Sequence, residues 1–181
     1  TQARIPRTGV MELSRTLDTV GSITRSVRAC LAVDAVLSQQ PLPTDAANLR
    51  GLRFALPQTL MMDDVDATVG QAFARTLRRI SAAGAEVVEI PFTALGDIAA
   101  LSLTGGFSPI EGYAAHHVRL ERGAHQIDHR VVARMMLGKG ISAQDYLELH
   151  NSRHAWIAAA EQTLHGFDAM LCPTVPMVAP L

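Results

Sequence analysis

LRFAL at residues 52–56 and EVVEIP at 86–91, with DVDATVGQAFARTLRRISAAG at 64–84 between them, form the stretch on which the fold turns. Each outer segment is a short apolar run of the length of a buried strand. Between them Val65, Val69, Phe73, Leu77 and Ile80 recur at three- and four-residue steps, which lines one face of a helix over 64–83. Asp63 or Asp64 is the expected N-cap, and Gly84 stands where a helix takes its C′ glycine. Strand, helix and strand in this order make a βαβ unit, and such crossovers join parallel strands.

Outward from this unit the pattern is mostly helical. Thr1 to Leu17 carries Pro6, Gly9 and scattered polar residues and reads as irregular. From Thr19, the residues Ile23, Val27, Cys30, Leu31 and Leu37 share a helix face, with Pro41 and Pro43 ending that helix. Leu95 to Gly140 reads as helical, broken at Gly105-Gly106, Gly123 and Gly138 to Gly140. Ser142 and Asp145 form a capping box for a helix bearing Tyr146, Leu149, Trp156, Ala160 and Leu164 on one face, stopped by Gly166. Ala169 to Cys172 is a third buried strand, followed by Pro173 and Pro176. The sum is an α/β layer structure, helices over a mostly parallel sheet. Three strands are few for so many helices. With no initiator Met at Thr1 and a stop at Ala179-Pro180-Leu181, residues 1–181 are expected to be a single partial domain of a longer protein.

Composition narrows the functional classes. The chain is 48% hydrophobic and 18% charged, with a net charge of -1, so no electrostatic reason exists for a nucleic-acid or anionic-membrane partner. No apolar run approaches the ~18 residues needed to span a bilayer, and no signal peptide is visible, so a cytoplasmic protein is expected. Cys30 and Cys172 lack metal-type spacing and read as reduced thiols, with a disulfide left open.

Three constellations invite chemistry and fall short of it. His150 and His154 are four apart with Glu161 on the same flank, but Asn151 stands where a zincin needs Glu. His125 and His129 straddle a loop–helix junction, and the adjacent His116 and His117 cannot face one ion from a helix. No metal is expected. Gly138-Lys139-Gly140 lacks the upstream glycine and the Ser or Thr after Lys of a phosphate loop. No G-x-S-x-G elbow occurs, Gly105-Gly106-Phe107-Ser108 being the nearest approach.

Read together, three segments resemble the amidase signature family. Arg4-Ile5-Pro6-Arg7-Thr8-Gly9-Val10 with Leu13-Ser14 and Leu17-Asp18-Thr19-Val20-Gly21 is similar to the family's Gly-Val, Leu-Ser, Leu-Asp entry to a helix. Arg134 to Gly138 with Ile141-Ser142-Ala143 and Tyr146 matches a passage R-x-x-x-G, then I-S-A-x-x-Y. Asp168-Ala169-Met170-Leu171-Cys172-Pro173-Thr174-Val175-Pro176 with Ala179-Pro180 matches a strand leading to P-T-x-P and A-P. Each motif is weak alone, and their order and spacing make the match specific across nearly the whole chain.

The resemblance implies part of an α/β/α sandwich around a mixed sheet, with a βαβ unit and a helical cover. It implies hydrolysis of an amide C–N bond through an acyl-serine, with a second Ser and a Lys as base. Those groups lie ahead of the part this chain resembles, the nucleophile in a Gly/Ser-rich segment and the lysine on a strand end. Lys139 is the only lysine here and no Gly/Ser-rich run exists, so no catalytic residue is assigned within the chain. The chain is expected to supply scaffold and pocket wall and to be inactive alone. Arg134 is the candidate substrate-binding residue, since glutamine-using relatives hold a substrate carboxylate with an Arg in such a place, with a structural ion pair as the competing role. Thr104-Gly105-Gly106 stands where those relatives carry tyrosines, which favours a small amide over glutamine or an aminoacyl-tRNA. The expected partners are a small amide and the remainder of the parent amidase chain, with a homodimer left open and no cofactor. A non-catalytic α/β small-molecule-binding or interaction module is the alternative reading.

Overall fold

The computed structural model describes residues 4–42, 48–102 and 106–180. In chain order they form helix α1 (Val27–Ser38), strand β1 (Arg53–Pro57), α2 (Ala67–Ala82), β2 (Glu86–Ile90), a 3-10 segment Thr93–Ser102, α3 (Phe107–Gly123), a 3-10 turn Ala124–Gln126, α4 (His129–Met136), a 3-10 turn Leu137–Gly140, α5 (Ala143–Thr163) and β3 (Ala169–Met170). The expectations at Pro43, at Thr104 and Gly105, and at the ends Thr1 and Leu181 lie outside the described residues. The described residues fall into two compact units, one within 1–46 and 102–150, the other within 47–101 and 151–181.

The second unit holds the sheet, in the order β2-β1-β3 with both pairings parallel. Arg53 pairs with Glu86 and Pro57 with Ile90, while Phe54 and Ala55 pair with Ala169 and Met170. The expected βαβ unit is present. Phe54, Ala55, Leu56 and Pro57 are all buried, which is why β1 reads as an unbroken apolar run and shows no alternation. It extends one residue further than expected, into Pro57, whose missing N–H is tolerated at a strand end. β3 is shorter than expected, although the Leu171 N–H still donates to the Ala55 carbonyl at 2.9 Å.

Helix α2 starts later than the carboxylates at 63 and 64 suggest. Asp64 takes a left-handed φ of 51° and turns the chain, and Asp66 becomes the N-cap by accepting from the Thr68 N–H at 2.6 Å. Gly84, at φ 94°, ends the helix as expected. The Asp66 N–H donates to the Pro176 carbonyl at 2.7 Å, so the P-T-V-P exit motif closes against the start of α2. Arg53 ties all three strands at one end. Its Nε meets Glu86 Oε2 at 2.9 Å, its Nη1 the Gly166 carbonyl at 2.9 Å, its N–H Asp168 Oδ2 at 2.7 Å, and its guanidinium lies over Phe167. The core of this unit is Phe92, Leu95 and Ala160, flanked by Trp156, Leu164, Ile98 and Met170. Trp156 stacks on Phe92 and donates its indole N–H to the Ala94 carbonyl at 2.5 Å.

In the first unit, helix α1 begins at Val27 where periodicity places its start near Thr19. Ser26 caps it, accepting from the Ala29 N–H at 3.2 Å, and Ile23 lies before it on irregular chain. It ends at Ser38, with Gln39 left-handed at φ 55°, before Pro41 is reached. The turn Leu137–Gly140 presses on the start of α3. A Cβ on Gly138 would stand 2.2 Å from the Pro109 carbonyl oxygen, so this glycine is required by close approach. Ser142 and Asp145 form the expected capping box, each backbone N–H donating to the other's side chain at 3.1 Å.

Candidate functional site

Helix α4 carries the residue singled out in the sequence. Asp128 caps it by accepting from the Arg130 N–H at 2.8 Å, and the same carboxylate takes the Arg130 guanidinium through Nε at 3.0 Å and Nη2 at 2.7 Å. This fork holds the Asp128 carboxyl below the usual range. Arg130 is therefore neutralised within its own first turn. Arg134 follows one turn later, exposed, and makes no hydrogen bond or ion pair among the described residues. No partner for the structural ion pair weighed as its competing role occurs among the described residues.

Both arginines line a groove of about 600 Å³ with Leu13, Ser108, Pro109, Val131, Ala133, Met135 and Leu137. Its walls are aliphatic, and Arg134 is the charge in it that no carboxylate among the described residues answers. A groove of this kind suits a ligand with a hydrocarbon body and an acceptor or anionic end. Leu13, from the Leu-Ser motif, enters the wall from a distant part of the chain.

The same motif meets a group that sequence reasoning did not find. Glu111, on α3, is buried, and its carboxylate accepts from the Ser14 and Thr16 hydroxyls, from the Thr16 N–H at 3.0 Å and from Tyr146 Oη at 2.6 Å. Burial alone would raise its pKa, but the hydroxyl donors and the Thr16 N–H outweigh it and hold the carboxyl below its ordinary value. Tyr146 moves the other way, raised by burial and by the carboxylate it faces. Asp18 completes the turn, its carboxylate accepting from the Leu13 N–H at 2.8 Å. Arg7 donates to the carbonyls of Arg15 at 3.0 Å and Asp18 at 3.2 Å. The Leu-Ser and Leu-Asp motif is thus a folded knot pinned by Glu111. Three hydroxylated residues separated from Glu111 in sequence leave no periodic signal.

The remaining candidates are dispersed. His116 meets the Glu12 carbonyl at 2.6 Å and His117 the Ala114 carbonyl at 3.0 Å, while His150 packs edge-on against Phe107 and Tyr146. No group of three or more His, Cys, Asp or Glu suited to a metal occurs among the described residues. Lys139 lies exposed in the turn Leu137–Gly140. Cys30 and Cys172 are free thiols. No helix among the described residues is long and apolar enough to cross a membrane.

The Amidase family profile matches residues 1–181, and the chain belongs to that family. It is 29% identical to the 2-amino-5-chloromuconic acid deaminase of Comamonas testosteroni, over 99% of this chain and 40% of that protein. It is 30% identical to the indoleacetamide hydrolase of Agrobacterium vitis, over 99% of this chain and 42% of that protein. A crystal structure of an amidase superposes with a TM-score of 0.84 at 25% identity, covering 98% of this chain and 40% of the other. The chain spans about two fifths of the length of the curated relatives it matches.

Proposed function

We propose that this chain is the scaffold and pocket-wall portion of an amidase-signature enzyme that hydrolyses the C–N bond of a small amide through an acyl-serine. Its nucleophile and lysine base are carried on residues outside this chain, and residues 1–181 are one partial domain of the whole. The observation that carries this reading is the family match across all 181 residues, in a chain whose only lysine, Lys139, lies in a glycine-flanked turn. Arg134 is the substrate-binding residue, and the aliphatic groove beside it takes the body of the acyl group. The relatives' names fit such a groove, one acting on a muconic acid and the other on indoleacetamide. Free Cys30 and Cys172 support a reducing, cytoplasmic location.

The test is a kinetic comparison in the complete enzyme. Arg134→Ala should raise KM about tenfold or more for amides whose acyl part bears a carboxylate, the loss expected for one charge-assisted hydrogen bond. KM for neutral amides such as indoleacetamide should change little, and Arg134→Lys should recover part of the loss. An equal effect on charged and neutral amides would remove Arg134 from the substrate site.

A further inference from the structure

Gly112, buried on α3, sets what the groove beside Arg134 can hold. A Cβ at Gly112 would stand 3.2 Å from Leu13 Cδ1, 3.4 Å from the Leu13 carbonyl oxygen and 3.8 Å from Met135 Cγ. Two wall residues of the groove, Leu13 and Met135, therefore rest on bare backbone of α3. The leucine has little freedom on that seat. Its N–H donates to Asp18 Oδ2 at 2.8 Å, and the next residue, Ser14, is buried with its hydroxyl on the Glu111 carboxylate. Glu111 and Gly112 are consecutive, so one residue of α3 grips the Leu-Ser segment and the next leaves room for its side chain. Leu13 is nonetheless 46% exposed, and what α3 does not cover forms groove wall. Met135 is unbranched and reshapes around what it meets, whereas Leu13 is branched and tied at its own N–H and at the following residue.

We propose that Leu13, seated on Gly112, is the specificity-determining residue of this groove and limits how broad a hydrocarbon body enters beside Arg134. The inference rests on the reading that the groove takes the acyl group, and it adds which side chain sets the width. A pinned, branched side chain discriminates by volume, and in such a pocket one methylene changes kcat/KM about 10- to 200-fold. Leu13→Ala cuts this wall back to a methyl and admits a broader body, and Leu13→Phe does the opposite. Gly112→Ala acts on the same wall from behind, pushing the leucine off α3 and into the groove. In the Leu13→Ala background that methyl meets no Cδ1, so the two positions are coupled.

The test compares two neutral amides, propionamide and naphthylacetamide, in the complete enzyme. The ratio of kcat/KM, naphthylacetamide over propionamide, should rise about tenfold or more in Leu13→Ala and fall about tenfold or more in Leu13→Phe. Gly112→Ala should lower it about threefold or more alone, and less than about twofold in the Leu13→Ala background. Val118→Ala, an exposed position on α3 outside this groove, should leave the ratio as in the parent. Calorimetric titration of the product acids, propionate and naphthylacetate, should give Kd ratios in the same order and reads the groove without turnover. Where Gly112→Ala does not fold, the two Leu13 variants decide the matter. Ratios unmoved by both Leu13 substitutions, in turnover and in binding, would overturn the proposal and leave the amidase reading intact. Equal effects of Gly112→Ala in both backgrounds, or no binding of either acid to the parent, would overturn it too. Acids that bind in the expected order to a protein that hydrolyses no amide would leave the role of Leu13 standing and remove the amidase reading.

Discussion

Glu111 shows how much a single side chain organises. One carboxylate gathers Ser14, Thr16 and Tyr146, and being an anion it needs donors only, which hydroxyls and an N–H provide. Glu111→Gln puts an amide NH₂ among those donors and should cost about 1–3 kcal/mol, read in the complete enzyme as a fall in the urea midpoint of helical circular dichroism. The pH dependence has a definite sign. A folded-state pKa below the ordinary 4.5 contributes stability that is complete above that value and is lost as pH falls through the lower, folded one. Glu111→Gln should therefore lose less stability than the parent between neutral pH and the acid side of 4.5. An identical pH profile in both would mean the clasp contributes nothing. Gly138 gives a sharper contrast. Gly138→Ala drives a Cβ into the Pro109 carbonyl and should destabilise by about 1–3 kcal/mol or more, whereas Gly140→Ala has open space and should stay within about 0.5 kcal/mol. At this scale the sequence was least legible. Gly138 reads as a helix break with no hint of contact, and Glu111 looks like any polar residue on a helix.

Elements were easier to read where local chemistry alone decides them. The strands at 53–57 and 86–90 and the helix between them follow from apolar runs and spacing that no tertiary contact overrides. The capping box of α5 was equally plain, and it supports a direct check. Ser142→Ala removes the acceptor for the Asp145 N–H and should cost about 1 kcal/mol, with loss of helical signal. An unchanged melting curve of the complete enzyme would show that packing, and not the cap, fixes where α5 begins. The starts of α1 and α2 were misplaced for one reason. Apolar spacing continues through Ile23, and two carboxylates precede the true cap at Asp66, so periodicity overran the residues whose side chains close the first turn. Propensity identifies a helix, and its first residue depends on which polar side chain can reach back to an N–H.

For the molecule as a whole, the sequence pointed to a family more readily than to a site. The Leu-Ser, Leu-Asp and P-T-V-P motifs carried the resemblance, and in the structure they hold turns and helix starts together. Arg134 was singled out only through its place in a motif, because an exposed arginine has no sequence signature of its own. The isolated 181-residue chain should show no single cooperative unfolding transition and should self-associate, given the apolar surface around α1. Calorimetry with sedimentation decides this, and a monodisperse chain melting in one step would count against it. It should also hydrolyse no amide above background, since loss of a catalytic nucleophile or base removes roughly 10⁶-fold in rate. A serine-directed phosphonate applied to the complete enzyme should label no serine within residues 1–181. Labelling of Ser108 with loss of activity would place the active site in this part of the protein.

The pairing of Phe54 with Ala169 has a consequence in time. The middle strand of the sheet finds β2 within a few tens of residues of synthesis, and must then wait for its other neighbour while about a hundred more residues are translated. The capping carbonyl of Pro176 arrives later still. Throughout that interval one edge of β1 offers unpaired backbone groups to any extended peptide nearby. A nascent chain stalled before residue 169 should therefore be a chaperone client, and release from that dependence should coincide with the appearance of residues 169–176.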